Sequence, residues 1–225
     1  MEDAGFRQHY EPTRYDRPSV AVDCVAVGLQ EGRLGVLLTR REHDPFAGDW
    51  ALPGGFVGID ESLEAAAGRV LRDKAGLTGL SPEQVYCFGA VDRDPRMRII
   101  AIAYRVLLDP ARMAALTLRP DQRLATIDPV DDVEPLRLAF DHDHIVRLTL
   151  ERLRRTIDDA AFALLPGRFT LRELQAVHEA VLGRPLNKPA FRRRMLERGV
   201  LQATGEYEAG RAFRPAELYM QRPKG

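Results

Sequence analysis

Through its first half the chain carries apolar residues in short strand-length runs, and towards its end the apolar period becomes helical. Residues 19–28 and 34–40 predict two strands joined by Leu29-Gln30-Glu31-Gly32-Arg33, a hairpin signal. Residues 85–91 and 98–108 predict a second pair. Between the pairs, Leu63, Ala66, Val70 and Leu71 recur at helical spacing, with Asp60 or Ser62 as cap and Gly76 as stop. That order predicts a mixed sheet with helices on its faces, an α/β (α+β) class. Residues 121–135 show little periodicity and predict a surface loop. Ile145, Leu148, Leu153 and Ile157 then predict one helix over 141–163, opened by Asp141 as a cap or first-turn acid. The alternation Asp141-His142-Asp143-His144 invites a metal reading, but the helical pattern accounts for it. Leu164-Leu165-Pro166-Gly167 stops that helix. The expected domains are therefore 1–163, including the connecting helix, and 166–225.

Beyond the boundary, Thr170-Leu171-Arg172-Glu173 forms a capping box, and Leu171, Leu174, Val177, Val181 and Leu182 give one apolar face before Gly183. Arg184-Pro185-Leu186 is a short turn, after which Asn187 caps a second helix over 188–198 that tolerates Pro189 in its first turn. Two helices so joined predict a helix-turn-helix. At 100° per residue Phe191, Met195 and Leu196 face the core and Arg192 lies near it. Arg193 and Arg194 point outward and are the expected base readers, with Lys188 placed for a phosphate. Val200-Leu201-Gln202 and Arg211-Ala212-Phe213 predict a wing hairpin around the polar segment 204–210, from which Arg211 would touch the DNA backbone or minor groove. The expected DNA-facing set is Thr170, Asn187, Lys188, Arg192, Arg193, Arg194 and Arg211.

Charge sharpens this division. The net charge is zero, yet residues 1–165 carry 21 basic against 27 acidic side chains, and residues 166–225 carry 12 against 6. An acidic body with a basic tail domain points to a polyanion partner for the tail. A hydrophobic content of 45% with 29% charged residues fits a globular chain, and no apolar run approaches the ~20 residues of a membrane span. The N-terminus does not open a secretory signal, and Cys24 and Cys87 lie in strand-like surroundings without metal-ligand spacing. Buried reduced thiols and a cytoplasmic location are expected.

The segment from Gly55 to Leu77 carries the chemistry. Gly55, Glu61, Arg69, Val70, Leu71, Asp73, Lys74, Gly76 and Leu77 match the Nudix pattern G-x5-E-x7-R-E-U-x-E-E-x-G-U in spacing. Asp49-Trp50-Ala51-Leu52-Pro53-Gly54-Gly55-Phe56-Val57 resembles the approach to that box. Nudix enzymes cleave a pyrophosphate with a water and divalent cations, which need several oxygen ligands and a carboxylate to direct the water. Val70 offers no oxygen, Lys74 presents an ammonium where a metal-ligating carboxylate belongs, and Asp73 keeps one shortened carboxylate. Two of three working glutamates are gone. Neither a catalytic residue nor a metal ligand is assigned, and a binding role leads. Trp50 reads as a half-buried core aromatic. The segment Asp92-Arg93-Asp94-Pro95-Arg96-Met97-Arg98 holds three Arg and two Asp, which predict either an anion-binding loop, Arg being suited to phosphates, or pairing with one another in an ordered loop.

Together with Arg93-Asp94-Pro95-Arg96, Leu138-Ala139-Phe140-Asp141-His142, residues 169–175 and Phe191-Arg192-Arg193-Arg194-Met195, these motifs make the chain similar to the NrtR family, Nudix-related transcriptional regulators of NAD metabolism. The resemblance covers most of the chain. It implies a Nudix α/β/α sandwich followed by a winged helix-turn-helix, and a homodimeric repressor of NAD synthesis or salvage genes on a palindromic operator. It also implies a small-nucleotide effector, ADP-ribose or a related NAD metabolite, with no cofactor required and no membrane partner. The expected ligand residues are Gly55, Phe56, Glu61, Arg69, Asp73, Arg93, Asp94 and Arg96. The competing readings are a pyrophosphatase acting on ADP-ribose or dinucleotides through Glu61 and Asp73, and a protein-binding scaffold.

Overall fold

The computed structural model describes residues 14–127, 137–208 and 215–223. Strand β1 (Ser19–Gln30) turns tightly through Glu31 and Gly32 into β2 (Arg33–Arg40). Both turn residues have positive φ, 51° and 77°, as a two-residue hairpin matched to strand twist requires. Two short strands follow, β3 (Trp50–Ala51) and β4 (Gly54–Phe56), and then helix α1 (Leu63–Ala75). Ser62 caps α1 by accepting from the Ala65 amide, and Gly76 closes it in the left-handed region, as the sequence predicts. Next come β5 (Glu83–Phe88), β6 (Ile99–Leu108), the short helix α2 (Pro110–Ala115) and β7 (Gln122–Ile127).

These strands form one mixed sheet in the order β3-β2-β1-β6-β5, with β4 paired to β1 and β7 to β2. The β1–β6 pair is parallel, running from Ser19↔Ile99 to Gly28↔Leu108, and the other pairs are antiparallel. The strand pleat sends Val22, Cys24 and Ala26 to one face, against Ala66, Val70 and Leu71 of α1, and Val25 and Val27 to the other. Both faces are covered by helices, which is the expected sandwich.

Strand β7 corrects the predicted loop over 121–135. Gln122, Ala125 and Ile127 are buried and the pairing to β2 spans Leu34↔Ile127 to Thr39↔Gln122. The polar residues Gln122, Arg123 and Thr126 disguise the strand's alternation. The rest of that segment lies outside the described residues.

The predicted connecting helix is broken into α3 (His142–Arg155), α4 (Ile157–Ala160) and a 3-10 turn (Ala161–Leu164). The break is at Thr156, whose hydroxyl donates to the Arg152 carbonyl and so competes with the helical ladder. Strand β8 (Phe169–Thr170), helix α5 (Leu171–Leu182), helix α6 (Lys188–Glu197), β9 (Leu201–Tyr207) and β10 (Glu217–Gln221) complete the chain. They form a three-stranded sheet, β8-β10-β9, beside a helix-turn-helix. Strand β9 continues through Thr204–Tyr207 and pairs with β10, while the expected wing segment 211–213 lies outside the described residues. Arg211 lies outside the described residues.

One hydrophobic cluster runs through both halves, from Val25, Val36 and Leu38 through Ile145, Leu153 and Leu164 to Leu174, Phe191, Met195 and Tyr219. The halves therefore share a core across the predicted boundary. Polar ties reinforce it. Asp158 of α4 receives His178 of α5 at 3.1 Å, and Arg194 and Arg198 from the second helix and its C-cap at 3.3 and 2.7 Å. Cys24 is buried, its thiol pushed up to about 12 chiefly by loss of solvent. Cys87, expected to be buried, is exposed on the edge strand β5.

Candidate ligand cleft and nucleic-acid interface

Asp23 breaks the apolar run of β1 and points to the α3 side of the sheet. Its side chain is only 7% exposed and meets Arg93, whose Nη2 lies 3.4 Å away. Arg93 also forks onto Asp141, with Nε 3.0 Å from Oδ2 and Nη2 2.6 Å from Oδ1. A guanidinium clamped bidentately between two carboxylates is a rigid arrangement. Asp141 thus corrects its expected role: it stands at the cap position of α3 but makes no side-chain cap bond. Buried His142 accepts from the Leu52 amide through Nδ1 at 3.0 Å, which leaves Nε2 protonated and facing Asp23 at 3.6 Å. Burial pushes the His142 pKa down, against the pull of Asp23 and Asp141. Gly54 is required here, because a Cβ at that position would come within 2.2 Å of an Asp23 carboxylate oxygen.

These groups floor a cleft of about 370 Å³. Gly55, Phe56, Arg93, Asp94 and Arg96 of the expected ligand set line it, joined by Asp23, Arg40, Arg41, Lys74, Arg119, Phe140 and His142. Buried Asp94 orients Arg96 by accepting from its backbone amide and from its guanidinium at 2.8–3.0 Å. Those bonds hold the Asp94 pKa below the usual carboxylate range. Arg96 and Arg41 reach over the Phe140 ring, at 5.7 and 4.7 Å from its centroid. The loop 92–98 therefore shows the mutual pairing of its charges, with Arg93, Asp94 and Arg96 lining the cleft.

Glu61, Arg69 and Asp73 are not among the cleft-lining residues. Glu61 is held by Arg69 at 2.5 and 3.0 Å and by the Gly58 amide at 2.7 Å, and Arg69 also donates to the Phe56 carbonyl. These bonds, Arg69 first, pull the Glu61 pKa down to about 2. Asp73 is exposed and bonded to neighbouring Arg72 at 2.8 Å. Val70 is buried under Gly55. The divalent cation of Nudix chemistry does not fit this donor set: one carboxylate is clamped by Arg69, one is paired with Arg72 outside the cleft lining, one position is apolar and the last is a lysine.

In the helix-turn-helix, Thr170 is 2% exposed and its hydroxyl and amide are engaged with Glu173 in the capping box. That burial removes it from the DNA-facing set. Asn187 caps α6 by accepting from the Ala190 amide, and Asn187 and Lys188 are exposed. The wheel placed Leu196 wrongly, on the core side. Arg192 is exposed, as is Leu196 at 48%, while Arg194 bonds Asp158 and lies over the Phe191 ring. Only Phe191 and Met195 are buried, so the core arc of this helix is narrower than two turns of periodicity imply. In the wing, Glu206 and Glu208 pair with Arg168 and Arg172 at 2.5 and 3.4 Å.

Comparison with known proteins gives a consistent result. A NUDIX domain model matches residues 17–149, and the model of the NrtR DNA-binding winged helix domain matches residues 161–220. An ADPR responsive transcriptional repressor, NtrR, from Acinetobacter baylyi is 36% identical over 220 residues, covering 95% of this chain and 86% of that protein. The chain belongs to the NrtR family. Among solved structures, Shewanella oneidensis NrtR complexed with a 27mer DNA superposes with a TM-score of 0.73 at 32% identity, covering 90% of this chain and 93% of that one. The NUDIX domain of the same NrtR complexed with ADP ribose gives a TM-score of 0.56 at 30% identity, over 68% of this chain and 99% of that one.

Several cleft residues of this NrtR member escaped assignment from sequence. Asp23 and His142 each left a signal, a lone acid inside a buried strand and a polar residue on an apolar helix face. Arg40, Arg41 and Arg119 left none, because surface arginines occur throughout the chain.

Proposed function

We propose that the chain is a DNA-binding transcriptional repressor whose Nudix lobe, residues 1–163, takes ADP-ribose as effector without hydrolysing it, and whose lobe 166–225 holds the operator. The observation that carries this reading is the cleft itself. It concentrates guanidinium and ammonium groups beside the Phe56 and Phe140 rings, a match to a diphosphate joined to a base, while the Nudix-box acids are paired with Arg69 and Arg72 outside the cleft lining. The exposed residues Asn187, Lys188, Arg192 and Arg193 on α6 form the candidate DNA face. Two copies would set two such helices on a palindromic operator controlling NAD synthesis or salvage genes, in the cytoplasm where that DNA lies. Effector binding would favour release by changing how the shared core holds the two lobes.

Capture of sheared genomic DNA from the source organism by the purified protein, followed by sequencing, tests this. Enrichment of one palindromic site near NAD genes, released by ADP-ribose, is expected. Uniform recovery of DNA, or AMP released from ADP-ribose with magnesium and lost in Asp73→Ala, would overturn the reading.

A further inference from the structure

The charges around the cleft do not all cancel. Arg93 is matched by Asp23 and Asp141, Arg96 by Asp94, and Arg119 by Asp121. Arg40, Arg41 and Lys74 are different. Their hydrogen bonds among the described residues go to backbone carbonyls: Arg40 to Gly48, Arg41 to His43 and Pro45, and Lys74 to Gly54 at 2.6 Å. Among the described residues, three cations thus face one cleft without a carboxylate bonded to any of them.

Lys74 stands in the last turn of α1, at the position where the box pattern has a metal-ligating glutamate. Its place is fixed from two sides. The Lys74 carbonyl accepts from Arg119 at 2.6 Å and from the Gln122 side chain at 2.7 Å. The ammonium is tied to Gly54, the residue whose lack of a Cβ makes room for Asp23. An ammonium has three N–H donors, so the bond to Gly54 leaves two for a ligand oxygen. The walls of the cleft and the nearby Arg41 make this charge costly to hold, which is the condition under which an incoming anion is favoured.

We propose that Lys74 is the resident counter-cation of this cleft: with Arg40 and Arg41 it holds the ligand's diphosphate in place of divalent ions, so that binding needs no metal. The inference rests on the reading of the cleft as a diphosphate site and assigns which group of this chain replaces the metal. It also predicts a reversal of character. A glutamate at this position would return an acid to the box and make binding both weaker and metal-dependent.

Calorimetric titration of the full-length protein with ADP-ribose, in EDTA and in magnesium, reads this directly, with Lys74→Met and Lys74→Glu beside the wild type. Wild type is expected to bind equally in both buffers. Lys74→Met should lose about tenfold in both, and Lys74→Glu should lose more in EDTA and regain affinity in magnesium. Both variants break the bond to Gly54, so a purely structural role would weaken them alike in both buffers. That result, or a wild type that binds only with magnesium, overturns the proposal. Inorganic pyrophosphate is the second probe. If ADP-ribose fails to bind but pyrophosphate binds in EDTA through Lys74, the effector reading fails and this inference stands. If neither binds, both fail.

Discussion

The cleft and the exposed face of α6 both present arginine where an anion is expected, and they hold it in opposite ways. In the cleft, Arg93 is 4% exposed and locked between Asp23 and Asp141, and Arg96 is oriented by Asp94. On α6, Arg192 and Arg193 are exposed, and among the described residues no ion pair holds them. A small ligand is selected by groups fixed before it arrives, because ordering side chains on binding costs affinity. A long polyanion instead releases counterions along its length, and mobile cations at a wet surface suffice. Arg194 shows the boundary between the two styles, since it sits on α6, the proposed DNA-facing helix, but is tied back to Asp158.

The largest effect that would break this contrast is expected in the cleft. Arg93→Ala leaves two carboxylates facing each other with little solvent, and should cost ~3–5 kcal/mol of stability in urea unfolding. A loss below ~1 kcal/mol would mean that the network is far wetter than its burial implies.

On the helix, Arg193→Ala should barely move the unfolding midpoint but weaken operator binding by ~1–3 kcal/mol and reduce the salt dependence by about one counterion. Arg194→Ala should do the reverse, shifting stability more than DNA affinity. Equal losses of DNA binding in the two variants would erase the distinction.

The smallest effect concerns pH. Because the folded His142 pKa is depressed, the unfolded chain takes up that proton first, near the ordinary value of ~6.5. Stability from this residue is therefore intact above ~6.5 and falls as pH drops below it, by at most ~1.4 kcal/mol per pH unit. Glu61 follows the same sign lower down, its contribution being lost as pH falls from the ordinary 4.5 towards about 2. Unfolding midpoints followed from pH 8 to 4, with His142→Gln as control, would show the first loss flattened in the variant.

Wherever a local rule sufficed, the sequence predicted the structure. The caps at Ser62, Thr170 and Asn187, the stops at Gly76 and Gly183, and the hairpin at Glu31-Gly32 are set by a few neighbouring residues. The same locality made the Nudix box legible, including the loss of its acids at Val70 and Lys74. Long-range partners were not legible in that way. Strand β7 is fixed by pairing to β2 across about 90 residues, and its polar members hid it. Asp141 looked like a cap, and only the fold brings Arg93 to it from 48 residues away.

The amino-acid sequence alone determined the family, the two-part organisation and the altered catalytic box, because each depends on residue type at fixed spacing. Tertiary structure decided which charges are neutralised and which remain available. It paired Arg93 and Arg194 with distant acids, buried Thr170 and gathered Arg40, Arg41 and Lys74 at one cleft. The physical reason is that charge pairing depends on distance in space, and spacing along the chain does not specify it.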